Sequence, residues 1–114
     1  MALIYKILTA QEWEAALVEG VFAGSGVDLA DGFIHFSTRA QVEETAAKYF
    51  FGRPGLLLVG VEEEILGEKL VYEISRGGAP FPHLYGPLPT ALAVTKIPLP
   101  LRADGAPDFS GIFT

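Results

Sequence analysis

The chain has no cysteine, a single tryptophan, a single methionine and only two histidines. Without cysteine there is no disulfide framework, no thiolate metal site and no thiol nucleophile. Basic residues are also scarce: eight Lys and Arg stand against fourteen Asp and Glu, for a formal net charge of -6. They are scattered, as Lys6, Arg39, Lys48, Arg53, Lys69, Arg76, Lys96 and Arg102. Binding to a phosphate backbone draws its affinity from clustered basic groups, so no nucleic-acid partner is expected. No apolar run is long enough to span a bilayer, and the opening Met-Ala-Leu-Ile-Tyr-Lys lacks the pattern of a secretion signal. A cytoplasmic protein with no membrane partner is the expectation. A His-x-x-x-His pair is missing too, so no metal is expected. The Gly24–Gly26 stretch is read as a flexible loop that precedes no helix, which leaves no phosphate-cradling turn.

Half of the 114 residues are apolar, enough to bury one core. Leu3 to Leu8 is β-prone apart from Lys6 and predicts a first strand. Thr9 and Glu12 have the spacing of a capping box. Trp13, Ala16 and Leu17 fall on one face of the helix that follows, and Gly20 supplies its stop. Gly24 to Asp28 predicts a loop, Asp31-Gly32 a turn and Phe33 to Ser37 a second strand. Thr38 and Gln41 repeat the capping box before a helix with Val42, Ala46, Tyr49 and Phe50 on its buried face and Gly52 at its end.

Leu56 to Val61 is near-continuously apolar and predicts a central strand covered on both faces. A short acidic connection, a strand from Leu70 to Ser75 and a turn at Arg76-Gly77-Gly78 come next. Pro80 to Pro89 is broken by prolines and is expected to run extended or as turns. Ala91 to Leu99 predicts the last strand. The expected organisation is one domain over 1–101, with 102–114 as an irregular tail packed on the surface. The order predicts an α+β fold, with a curved, mostly antiparallel split sheet and two main helices.

Chemistry is expected from a polar cluster of His35, Ser37, Glu73, His83 and Tyr85. Alternation along a strand puts His35 and Ser37 on one side, with Ile34 and Phe36 on the other. Glu73 sits in an apolar neighbourhood, where a carboxylate needs a partner. In Phe81-Pro82-His83-Leu84-Tyr85-Gly86-Pro87, a proline-stiffened stretch presents two polar aromatics together. The plainer reading of each is a satisfied polar group in a core, which would leave a structural or partner-binding module without a ligand.

Leu-Ile-Tyr-Lys-Ile, Asp-Gly-Phe-Ile-His-Phe-Ser-Thr, Val-Tyr-Glu and Phe-Pro-His-Leu-Tyr-Gly-Pro-Leu together resemble the bacterial family catalogued as domain of unknown function 952. The layout of strand, helix, loop, His-x-Ser strand and helix is in turn similar to the ADP-ribosyltransferase fold, as at the start of RNA 2′-phosphotransferases. That resemblance implies a small-molecule ligand, with NAD or an ADP-ribose-like nucleotide as candidates, and a degenerate or weakly active transferase. It implies catalytic roles for Glu73 and His35, with His83 and Tyr85 as alternatives to Glu73 at its position, and ligand contacts from Tyr5, Lys6, Ser37, His83 and Tyr85. Lys6 stands where such folds more usually have histidine.

Overall fold

The structure, a computed structural model, describes residues 2–113. In chain order these form β1 (Leu3–Thr9), α1 (Ala10–Glu19), β2 (Val21–Phe22), α2 (Val27–Asp31), β3 (Ile34–His35), β4 (Ser37–Thr38), α3 (Arg39–Tyr49), β5 (Leu56–Glu62), β6 (Leu70–Ile74), β7 (Pro80–Leu84), β8 (Leu88–Pro89) and β9 (Ala93–Leu99). Three short 3-10 segments, Glu63–Lys69, Arg76–Gly78 and Thr90–Leu92, connect the later strands. A four-stranded sheet has the order β4-β1-β5-β9, a three-stranded sheet the order β3-β7-β6, and β2 pairs with β8. The strand pairings are antiparallel, so the fold is α+β. No described helix is long and apolar enough to cross a membrane.

Alternation in the two inner strands gives the large sheet two apolar faces. Ile4 and Leu8 of β1 join Val59 and Val61 of β5 in one core, with Trp13 and Ala16 of α1 and Ile34, Phe36 and Leu84 from the small-sheet side. Tyr5 and Ile7 join Leu56, Leu58 and Leu99 in the other, under Val42 and Ala46 of α3. Tyr5 lies opposite Gly60, where an added Cβ would stand 2.9 Å from Thr95 Cβ and 3.1 Å from the Tyr5 ring. Glycine lets the tyrosine ring lie across the sheet there.

Both capping boxes form. Thr9 N–H donates to Glu12 Oε1 at 2.8 Å and Glu12 N–H to Thr9 Oγ1 at 3.0 Å. Thr38 N–H donates to Gln41 Oε1 at 3.1 Å. Gly20 caps α1 with φ 83°, a left-handed conformation that glycine adopts without steric cost. The buried stripes are narrower than the periodicity suggests: Leu17 and Tyr49 are both half exposed. α1 packs through Trp13 and Ala16 and α3 through Val42, Thr45 and Ala46, and Leu17 and Tyr49 are left at the rim.

Two expectations need correction, and a third gains a partner on each side. Gly26 does precede a helix, the five-residue α2, which is too short to register as a period. The Phe33–Ser37 strand is split, because Phe36 N–H donates to Pro82 O at 2.9 Å and the chain changes sheets there. Pro80–Leu84 runs extended as expected, and its pairing on both sides makes it the central strand of the small sheet. The N–H and C=O of one strand residue point the same way, so Pro82 lacks its donor only on the side where β3 has already ended. The ladder to β6 loses nothing.

The irregular segment after Arg102 does more than lie on the surface. Phe109 is buried in the second core, its ring stacks on Phe113, and Phe113 meets Tyr5 edge-on at 5.3 Å. Phe109→Ala is therefore expected to cost about 3 kcal/mol, as for other buried aromatics. Urea unfolding checks this, and a change under about 0.5 kcal/mol would make the segment a mere surface wrap.

Candidate functional site

β1 carries an apolar-polar-apolar series, Ile4, Lys6 and Leu8, on its α1-facing side. A lysine there is drawn out of water and needs a carboxylate partner. The partner is Asp28 of α2, whose two oxygens accept from Lys6 Nζ at 2.9 and 2.8 Å. Asp28 is only 2% exposed. It also accepts from Ser25 N–H at 3.1 Å and His35 N–H at 3.0 Å, and lies 2.6 Å from His35 Nδ1. Burial alone would push this carboxyl up. The Lys6 ammonium and the hydrogen bonds from Lys6 and His35 outweigh it and hold the group below its usual range. On the other side of the imidazole, His35 Nε2 lies 3.0 Å from Asp31 Oδ2. Each ring nitrogen of His35 thus faces a carboxylate of α2.

Beside this knot, where β1 meets α2, α3 and the His35–Ser37 crossing, lies a pocket of about 250 Å³. Its walls include Tyr5, Lys6, His35 and Ser37, with Thr45 and Tyr49 of α3. Ser37 Oγ donates to Thr45 Oγ1 at 3.3 Å. Ile7, Val27, Phe36 and Phe50 make the rest of the lining apolar.

Glu73, His83 and Tyr85 are placed elsewhere. With His35 they share one face of the small sheet, where His35 and His83 are cross-strand partners with ring centres 5.4 Å apart. Glu73 Oε1 accepts from Tyr85 OH at 2.7 Å and lies 2.7 Å from His83 Nδ1. The bonds from His83 and Tyr85 hold the Glu73 carboxyl below its usual range, and the same bond pushes the Tyr85 phenol up. An ionised carboxylate only accepts, so His83 Nδ1 is the donor. His83 Nε2 is then turned inward, buried and without a partner among the described residues. Phe33 stacks on the His83 ring at 4.0 Å and also touches the rings of His35 and Tyr85. In a catalytic His–carboxylate pair the carboxylate lies behind and the far nitrogen faces the substrate. Here the carboxylate is 40% exposed and the far nitrogen is enclosed.

The seven sequence candidates therefore separate. Tyr5, Lys6, His35 and Ser37 meet at the pocket; Glu73, His83 and Tyr85 bond to one another outside its lining. The sequence reading missed Asp28 and Asp31, the residues that fix His35. The available signal was Lys6 itself, at a core-facing strand position that demands a buried acid. No group of three or more metal-ligating side chains is clustered among the described residues.

A family profile described as "Protein of unknown function (DUF952)" matches residues 7–97. No curated protein matches. Among solved structures, the X-ray structure of protein CC0527 from Caulobacter crescentus is 56% identical, with a TM-score of 0.91 and 94% of each chain covered. The solution NMR structure of CC0527 is 56% identical, with a TM-score of 0.87, covering 96% of this chain and 94% of that one.

The Asp28 knot has a pH signature. Its carboxyl binds a proton less readily folded than unfolded, so its stabilisation is complete above the ordinary value of 3.8 and is lost as pH falls towards the folded value. Asp28→Asn is expected to cost about 3 to 5 kcal/mol near neutral pH by stranding Lys6, and to flatten the acid limb of the stability curve. Denaturant melts from pH 7 to pH 3 test both; parallel curves for the two proteins would refute the assignment.

Proposed function

The chain belongs to the DUF952 family, and we propose that this member is a small-ligand-binding domain. The observation that carries the reading is the convergence of Tyr5, Lys6, His35 and Ser37 on one cavity of about 250 Å³. A mostly apolar lining with a few fixed polar groups is the make-up of small-molecule sites. The volume lies just under the usual range for drug-sized ligands, so a single ring with a short substituent fits and a whole dinucleotide does not. NAD or an ADP-ribose-like nucleotide would put one end inside and leave its phosphates over the rim at Val27 and Tyr49, both of which are exposed.

A relation to the ADP-ribosyltransferase fold is part of this proposal. It is supported by the element order and by His35 and Ser37 lying at the pocket. Turnover is the weaker half. Breaking a nicotinamide–ribose bond builds positive charge on the sugar and calls for a carboxylate beside it. Glu73 is outside the pocket lining and is bonded to His83 and Tyr85, which favours a structural role for that trio and a degenerate, binding-only site. With a net charge of -6, nucleic acid remains a poor partner.

Titration of the protein with nicotinamide, NAD and ADP-ribose, followed by amide NMR, tests the proposal. Shifts are expected at Tyr5, Val27, Ser37 and Tyr49. Ser37→Leu, which fills the cavity, is expected to abolish them. Glu73→Gln is expected to bind as the wild type does, and no nicotinamide release from NAD is expected over hours. The absence of shifts with all three compounds at millimolar concentration would sink the pocket reading.

A further inference from the structure

Two residues in the pocket wall, Lys6 and His35, carry nitrogen groups of the kind that hold carboxylates and phosphates. We propose that Asp28, which lies behind that wall, tunes the pocket for an uncharged planar ligand and against its anionic counterpart. The inference rests on the ligand-binding reading above and names the chemical class that the same cavity takes.

Both oxygens of Asp28 are bonded to Lys6 Nζ at 2.9 Å or less, so the lysine charge is compensated inside the protein. The same carboxylate holds His35 Nδ1, and Asp31 faces His35 Nε2. A ligand carboxylate entering the pocket meets no unmatched positive charge. It leaves water, approaches two fixed carboxylates and works against the acidic field of the whole chain. An uncharged ligand avoids all three costs. The polar groups that remain for it are hydroxyls: Ser37 Oγ donates to Thr45 Oγ1 and keeps lone pairs that can accept an amide N–H. The aromatic residues Tyr5, Tyr49 and Phe50 in the lining suit a planar body. Asp28 is absent from the lining itself and acts through Lys6 and His35, which makes it a specificity-determining residue of the pocket.

Benzamide and benzoate are matched in shape and differ in charge, so their relative affinity reads the proposal directly. By NMR titration, benzamide is expected to bind the wild type at least about tenfold more tightly, the discrimination worth ~1.4 kcal/mol that one uncompensated buried charge readily supplies. Asp31→Asn removes a charge from a partly exposed side chain and keeps its shape. It is expected to lower the benzamide-to-benzoate ratio severalfold with little change in melting temperature. Asp28→Asn should reverse the preference if it remains folded, as judged by circular dichroism; the Asp31 variant keeps the test decisive if it does not. Equal binding of the two probes by the wild type, or an unchanged ratio in Asp31→Asn, overturns the inference while leaving the pocket reading intact. If neither probe shifts the pocket residues, and nicotinamide does not either, the ligand-binding reading itself falls.

Discussion

One buried carboxylate ties the molecule together. Asp28 reaches Lys6 on β1 of the large sheet, His35 on β3 of the small sheet and the Ser25 N–H ahead of α2. α2 has only five residues, and Gly26 at its start provides no side-chain cap. Such a segment has no helical stability of its own. It is held because its carboxylate satisfies a lysine that the alternation of β1 has carried inward. A buried ion pair is a poor source of net stability, but losing either partner strands a charge. The geometry of this corner is consequently all or none, and the pocket beside it inherits that fixed geometry.

The placement of the other polar groups follows from the sheets. The small sheet turns Ile34 and Leu84 into the core and leaves its opposite face to His35, His83, Glu73 and Tyr85. Their mutual bonds come from that register: His83 stands opposite His35 on one side and Val71 on the other, and Glu73 is one step along the same face. The switch of sheets at Phe36 then carries the next residue, Ser37, to the large sheet, where it faces α3. A single extended strand would have kept His35 and Ser37 on the small sheet, and the pocket would lose a wall.

The parts of this that the sequence makes legible are those with local causes. Capping boxes at Thr9 and Thr38, the doubly covered run from Leu56 to Val61 and the glycine stop at Gly20 are readable because each depends on neighbours within a few residues. The split of the Phe33–Ser37 strand is not, because its cause is a carbonyl on Pro82, far along the chain. The buried role of Phe109 is hidden for a similar reason: no periodicity surrounds it. At the candidate site, Lys6, His35 and Ser37 are readable as polar residues in apolar strands. Asp28 is not, because it sits among Gly24, Ser25 and Gly26, which look like an ordinary loop. Glu73, His83 and Tyr85 are readable as a group, but the sequence does not reveal that they bond to each other rather than to a ligand.

The pairing of β1 bears on how the chain is made. Tyr5 stands opposite Gly60, and β5 in turn needs β9, which ends at Leu99. On the ribosome β1 emerges well before its partner β5, and the large sheet cannot close until the chain through Leu99 has been synthesised. Contacts of such long sequence separation form slowly, because loop closure must precede them. Meanwhile the apolar strand Leu3–Leu8 waits with the edge that will pair with β5 open. Lys6, in the middle of that strand, serves the nascent chain as a charged interruption in a segment otherwise suited to pairing with other chains.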